Sequence, residues 1–556
     1  MTTKLAFVTY ETPFAPSGGI AAVMGRLPAS VKSASQLEVV VLTPFHHKIS
    51  KTSALATVDA GDTVVTYGGN QLKVNLKRYD ADGISWYFLQ PEHPKVFSGF
   101  PHPYLVGKTR EEIASVLLRD SLVFGTSVIS ALKKLDTSAN WILFLQDWEA
   151  ATSALALSGQ EQEWRLFATL HNSYDSPVTD AELAAHGISA RGCPGKTVLS
   201  RAIPLLEDTV FTVSDQFAQD FTEDEFQSRV MADHLQGLLR PRLLGVNNGP
   251  FVDLAVDRNA LASAILGDYR RLAEWKADNR NKAISALKQL SPSPEKPLWG
   301  DLKKFKHEET ACWFVMAGRD DTRQKGYDVA AAGVRRFLSR GGDARFFFFP
   351  IPGDEGLDGL SFLSTLAKDF PAHVLVFPFI WREGFFATLQ GASFGLMPSF
   401  YEPFGMANEF YLNGTVGIGR MTGGIIQQIV PLRSVSCFSH AAEMRASRWH
   451  SSSAHPTGLL FRERDDPGSS ISDWRLINAA NYVVGTGSPN RVEDRNQCSL
   501  FRSMAEELSI SLDDAINLFA NDVELYYSML TEGIGYIQRS FSWRRTAHEY
   551  LRTVSG

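Results

Sequence analysis

The chain has 556 residues, 44% of them hydrophobic and 21% charged, and a formal net charge of -6. That length exceeds what one core usually needs and points to at least two domains. The acidic balance argues against a polyanion as the main partner, so no nucleic acid is expected. The four cysteines, Cys193, Cys312, Cys437 and Cys498, are scattered without a CxxC pair. This argues against a zinc site or disulfide framework and fits reduced thiols in the cytoplasm. The opening MTTKLAFVTYET is too short an apolar run for a signal peptide, and no stretch approaches about 18 apolar residues, so no membrane span is expected.

Along the chain, short apolar runs alternate with amphipathic segments. In the first half LAFVTYE, LEVVVLTPF, WILFLQDW, RLFATLHN and TVFTVSD read as strands, and IAAVMGRLPASVKSA reads as a helix. Residues 257 to 292 are polar and helical, and SPSPEKPLWG (291 to 300) has the composition of a linker. In the second half ACWFVMAG, ARFFFFPIP, HVLVFPFI, FGLMPS and TVGIGR read as strands, with a helix in GYDVAAAGVRRFLSR. Runs rich in Val, Ile and Phe without strict alternation mark parallel strands buried on both faces. The fold class is therefore α/β: two Rossmann-like domains facing across a deep cleft, joined near 255 to 305. The amphipathic stretch IGYIQRSFSWRRTAHEYLRTV near the end could pack on either domain.

Ligands of open α/β sheets bind beyond the carboxyl ends of strands, so the loops there carry the candidate chemistry. Gly18-Gly19, between a strand and a helix, lets backbone N–H groups approach an anion; a plain turn is the alternative. Asp147 and Trp148 end a strand and suit hydroxyl recognition and stacking on a sugar, or else a helix cap and a core tryptophan. His171 follows a strand, where a structural histidine is common. Asn248-Gly249 is a good turn and could orient a substrate hydroxyl. Arg319 and Lys325, in MAGRDDTRQKGYD, lie in one strand-to-helix loop. They could clamp a diphosphate and stabilise it as it leaves. MPSFYEPFGMANEF places Glu402 before a proline and Glu409 seven residues on. Thr422-Gly423-Gly424 forms a further glycine turn ahead of a helix.

Taken in order, these motifs resemble the bacterial glycogen synthase and plant starch synthase family, retaining glycosyltransferases of the GT-B fold. PSGGIAAVMGRLP looks like the family's KTGGLADVxGALP, QDWE like HDWH, LHN like VHN and TVSDQFAQD like TVSPTYAxE. GVNNGPFVD resembles GxLNGVD, AGRDDTRQKGYD resembles SRLxxQKGxD, and MPSFYEPFGMAN resembles MPSxFEPCGLxQ. GRMTGGIIQQI is similar to xRRTGGLxDTV, and FSWRRTAHEYLRTV to FSWxxxAxxYLxLY. The resemblance is collinear over nearly the whole chain.

It implies transfer of glucose from ADP-glucose or UDP-glucose to an α-glucan, with no cofactor and no metal. Arg319 and Lys325 would bind the diphosphate, and Glu402 would hold the donor sugar or ribose; these three are the implied catalytic residues. Gly18, Gly19, Gly405, Glu409, Thr422, Gly423 and Gly424 would complete the donor seat. Gln146, Asp147, Trp148, His171 and Asn248 would lie near the sugar or acceptor. The implied domains are an acceptor-side domain 1–255, a helical linker 256–305, a nucleotide-sugar domain 306–530, and a C-terminal helix 531–556 able to pack back on the first. The chain departs from the family at several positions. Pro16 replaces a lysine, Ala22 an aspartate, and Gln146 and Glu149 replace the two histidines of HDWH. The spacing E-x6-E is one residue shorter than the E-x7-E of related transferases. The loop GRDDTRQKG is one residue longer than in the bacterial family and looks like the animal and fungal version. Two alternatives follow from these departures and from the atypical insert 92 to 112: transfer to a small sugar, polyol or other metabolite, or a catalytically weak sugar-binding protein.

Overall fold

A computed structural model describes residues 2–52, 55–100, 103–104, 110–189, 194–306, 311–353, 356–464, 470–479 and 492–555. Cys193 and part of the 92 to 112 insert lie outside the described residues. The chain forms two units, residues 1–249 with 542–556, and residues 250–541.

The first unit is built on nine strands: β1 (Thr3–Val8), β2 (Glu38–Pro44), β3 (Val58–Tyr67), β4 (Asn70–Ala81), β5 (Ile84–Pro91), β6 (Asn140–Gln146), β7 (Arg165–Leu170), β8 (Val210–Thr212) and β9 (Leu243–Gly245). Their order is β3-β4-β5-β2-β1-β6-β7-β8-β9. From β5 to β9 every pairing is parallel, as the unbroken apolar runs require. The all-parallel expectation fails at the other edge, where β3, β4 and β5 form an antiparallel meander. In β4 the buried Leu72, Val74 and Leu76 alternate with Gln71, Lys73 and Asn75, the period of a sheet with one solvated face. Gly68-Gly69 and Asp82-Gly83 all have positive φ, the backbone of two-residue hairpin turns.

One helix corrects the expectation that no stretch is long and apolar enough to span a membrane. Glu111–Leu135 meets that test by length and composition. Its Leu118, Leu122, Val123, Phe124, Val128, Ile129 and Leu132 are buried in the first unit, and that burial accounts for its apolarity.

The second unit holds a six-stranded parallel sheet: β10 (Trp313–Arg319), β11 (Arg345–Ile351), β12 (Val374–Val376), β13 (Phe394–Met397), β14 (Val416–Arg420) and β15 (Leu459–Phe461), in the order β12-β11-β10-β13-β14-β15. Phe314 is in register with both Phe346 and Phe394 and stacks on them at 5.1 and 5.5 Å, a row of rings across three strands.

Residues 256–305, which composition marks as a linker, are built into this second unit. The helix Arg270–Gln289 buries Lys276 and Arg280. Lys276 donates to the carbonyls of Gln390, Ala392 and Gly414, and Arg280 to that of Gly391, so both close the carboxyl end of the helix Arg382–Gly391. Trp299, inside the proline-rich stretch, bridges antiparallel to Val376 on β12. The C-terminal stretch is two helices, Val523–Ser540 and Trp543–Ser555, separated at Phe541-Ser542. The first belongs to the second unit and the last to the first unit. There Tyr550 stacks on Phe211 at 4.5 Å, and a Cβ on Gly249 would collide with Trp543.

Candidate functional site

In the second unit two strand-to-helix loops and the exit of β13 interlock. Gly326 has a left-handed φ of 67°, and a Cβ there would collide with the Pro398 carbonyl oxygen. The 319–326 loop therefore lies flat on the chain leaving β13, where the Phe400 N–H donates to the Gln324 carbonyl at 2.7 Å. This brings Lys325 Nζ to 2.7 Å from Glu402 Oε2. Ser399 Oγ donates to the same oxygen at 2.9 Å, and Gln324 Nε2 lies 3.4 Å from Oε1. Glu402 is buried, while a quarter of the Lys325 side chain is exposed.

The Thr422-Gly423-Gly424 turn packs on the same segment. A Cβ on Gly423, whose φ is 47°, would collide with the Glu402 carbonyl oxygen, and one on Gly424 with the Phe404 carbonyl oxygen. The Gly424 N–H donates to the Glu402 carbonyl at 3.2 Å. Gly405, at a φ of 98°, completes the interlock, with Gln428 and Ile425 about its Cβ direction. Thr422 is buried. Arg319, at the end of β10, reaches Asp321 at 3.4 Å, and Asp321 Oδ1 accepts from the Arg323 N–H at 2.9 Å.

Beneath these loops lies a fixed ion pair. Arg420 is buried, and its Nε and Nη2 donate to the two oxygens of Glu463 at 2.7 and 2.5 Å. Its Nη1 donates to the Ser399 and Phe400 carbonyls at 3.2 and 2.8 Å. Burial alone would raise the Glu463 pKa, but the guanidiniums of Arg420 and Arg462 bring it down to about 2.

Glu409 has a different connection from its expected partner. It is buried on the helix Ala407–Leu412, and its Oε1 accepts from the Phe251 N–H at 2.9 Å. Burial raises its pKa to about 7.

The first unit gathers a separate set. Gln146 Oε1 accepts from His171 Nε2–H at 2.9 Å, so the histidine Nδ1 carries the lone pair. Burial lowers the His171 pKa to about 3 and keeps the ring neutral. Asp147 has a φ of 59°, rare for a residue with a side chain, and its carboxylate accepts from the His171 N–H at 2.6 Å and the Asn172 amide at 2.8 Å. Burial first, then the charge of Glu11, raises its pKa to about 8. Trp148 is buried in the helix Asp147–Leu157 beside Glu149, whose pKa is pushed well up by burial and by Asp147. Asn248 is buried, and its N–H lies 3.3 Å from the Val213 carbonyl.

At the glycine turn, Glu11 occupies the donors expected to meet a phosphate. Its Oε2 accepts from the Gly18 N–H at 2.7 Å and from the Ser17 N–H at 3.2 Å, and Tyr104 O–H donates to its Oε1 at 2.8 Å. Nothing lies within 4 Å of the Cβ direction of Gly19.

Sequence reasoning missed Glu11, Tyr104, Ser399, Arg420 and Glu463. Glu11, Ser399 and Arg420 stand inside the quoted motifs, where an acid ahead of a glycine turn and an arginine two residues before TGG were signals left unused. Tyr104 and Glu463 have no local signal.

Comparison with known proteins adds an independent line. The family model "Starch synthase catalytic domain" matches residues 4–240, and "Family 4 Glycosyltransferase in conflict systems" matches residues 264–409. A glycogen synthase of Geotalea daltonii is 26% identical over 465 residues, covering 77% of this chain and 84% of that protein. One of Thermosipho africanus is 23% identical, covering 77% and 85%. The fold is similar to that of the catalytic domain of starch synthase IV from Arabidopsis thaliana, solved with ADP and acarbose. Its TM-score is 0.60 at 17% identity, covering 96% of this chain and all of that one.

Proposed function

We propose that this chain, a divergent member of the glycogen and starch synthase family of glycosyltransferases, moves glucose from ADP-glucose or UDP-glucose to an α-glucan with retention at the anomeric carbon. The observation that carries the reading is the Lys325–Glu402 contact of 2.7 Å, held by interlocked glycine loops in the second unit. Lys325 and Arg319 present cations to the donor diphosphate. As the glycosidic bond breaks, the diphosphate gathers charge that Lys325 is placed to meet without reorganising. Glu402 fixes the ammonium and faces the donor sugar or ribose. The departing diphosphate then takes the proton of the incoming hydroxyl on the same face of the sugar. This scheme calls for no metal, because the two side chains supply the positive charge. In the first unit Asp147, His171 and Asn248 supply hydroxyl-recognising groups, with the histidine neutral.

A donor screen by thermal shift tests this reading. A nucleotide sugar at 100 times its Kd adds about 2.7 kcal/mol of stability. The expected result is a shift with ADP-glucose or UDP-glucose and a ladder of lengthened chains on glycogen. A shift without a ladder, but with product on small sugars or polyols, moves the acceptor to a small metabolite. No shift with either nucleotide sugar overturns the reading.

The Glu11 carboxylate on the Gly18 N–H favours a second reading, a weakly catalytic sugar-binding protein, because an acid stands where an anion would be expected. Donor binding by calorimetry without turnover or donor hydrolysis supports it.

A further inference from the structure

Arg495 lies outside every motif read above, yet its side chain is fully buried at the base of the Lys325–Glu402 loops. Nη1 donates to Asp328 Oδ2 at 2.6 Å, in the first turn of the helix Tyr327–Ser339 that begins after Lys325-Gly326. Nη2 donates to the Thr322 carbonyl at 2.7 Å, inside the Arg319–Lys325 loop, and to the Ile477 carbonyl at 2.5 Å. The guanidinium carbon Cζ lies over the Phe400 ring, 5.0 Å from its centroid. Phe400 is two residues before Glu402, its carbonyl accepts from Arg420, and its ring meets Trp474 edge-on at 6.4 Å. One side chain thus holds the lysine-bearing loop through a carbonyl, the following helix through an ion pair, and the glutamate-bearing loop through a ring.

We propose that Arg495 is a positioning residue that sets the reach of Lys325 relative to Glu402. This rests on the reading above that Lys325, fixed by Glu402, meets the donor diphosphate. A guanidinium suits the task because it is planar, stays charged when buried, and spreads several donors in fixed directions. Lysine at this position can keep the pairing with Asp328 but cannot also serve both carbonyls and stack on the ring.

The test uses the full chain and three variants, R495M, R495K and F400L. Amide hydrogen exchange is followed in the ligand-free protein, together with calorimetric titration of ADP and UDP and steady-state transfer. In R495M we expect faster exchange at residues 320–326 and 399–404, unchanged exchange in the first unit, at least tenfold weaker diphosphate binding, and a lower kcat with the acceptor KM held. R495K should recover part of the binding and kcat. F400L, which removes only the ring, should loosen the 399–404 segment and reproduce a smaller loss should R495M fail to fold. Native exchange in both loops for the folded variants, with diphosphate binding and kcat within twofold of the parent, overturns the proposal. If the parent binds neither ADP nor UDP, the donor reading fails, and the exchange of the two loops still decides the role of Arg495.

Discussion

In the second unit buried acids meet cations: Glu402 faces Lys325 at 2.7 Å, Glu463 takes two guanidinium nitrogens of Arg420, and Asp328 takes one of Arg495. In the first unit Asp147 is held by neutral donors, a backbone N–H and an asparagine amide, and burial together with the charge of Glu11 pushes its pKa up. Under the proposed function, the difference corresponds to two ligand chemistries. A frame whose acids are already neutralised by fixed cations can accept a polyanion without reorganising its charge. A cluster of buried carboxyls, amides and a neutral imidazole suits uncharged hydroxyls, which need donors and acceptors rather than charge.

The sharpest way to break this contrast is at the base of the second unit. E463Q leaves Arg420 and Arg462 facing an amide in a buried site, and loss of one partner there costs about 3–5 kcal/mol. Urea denaturation should show it as a large fall in the second unit's midpoint; a change under about 1 kcal/mol would mean that the pair is not what holds the loops. Next, K325M should lower transfer by about two orders of magnitude, near 3 kcal/mol of transition-state stabilisation. Because the buried Glu402 loses its cation, the melting temperature of the second unit should fall as well. Nucleotide release assays check the first, and near-parental turnover would remove Lys325 from the chemistry.

Proton linkage sharpens the contrast further. Asp147 has a folded pKa of about 8 against an ordinary 3.8, so the folded first unit keeps a proton that the unfolded chain releases. Its contribution to stability is fully present below about pH 4 and falls as pH rises to about 8. Glu463, at about 2 against 4.5, acts in the opposite sense: it stabilises above pH 4.5, and that contribution is lost as pH falls through about 2. Glu409, raised to about 7 by burial, follows the sense of Asp147 within the second unit. Urea midpoints against pH for D147N and the parent should therefore diverge between about pH 4 and 8, with the variant flatter. Identical profiles would show that Asp147 does not titrate there. The smallest effect is expected from Y104F, which deletes one hydrogen bond to a carboxylate, Glu11, and should cost the first unit about 1.5–3 kcal/mol without moving the second.

The loops of the second unit were legible because strand-to-helix turns follow a local rule. Parallel strands end in loops that start helices, so Arg319, Lys325, Glu402 and the Thr422-Gly423-Gly424 turn were picked from short strings, and the structure brings Lys325, Glu402, Gly405, Gly423 and Gly424 into one interlocked set. Spacing misled at Glu409, because seven residues place it on a helix whose carboxyl turns to the Phe251 N–H. The antiparallel edge β3-β4-β5 is marked in the sequence by its turns, Gly68-Gly69 and Asp82-Gly83, and by alternation, a period that unbroken apolar runs do not carry.

By itself, the amino-acid sequence determined the alternation of apolar strands and helices, and the glycine turns that lead into helices. Those are properties of a residue and its near neighbours: side-chain period, φ, and the absence of a Cβ. The tertiary structure decided which charge meets which. Lys325 finds Glu402 across 77 positions, Arg495 finds Asp328 across 167, and Glu11 folds back onto the glycine turn that the sequence offered to a ligand. A buried charge must be satisfied by whatever the sheet registers bring within about 3 Å, and no local pattern records that choice.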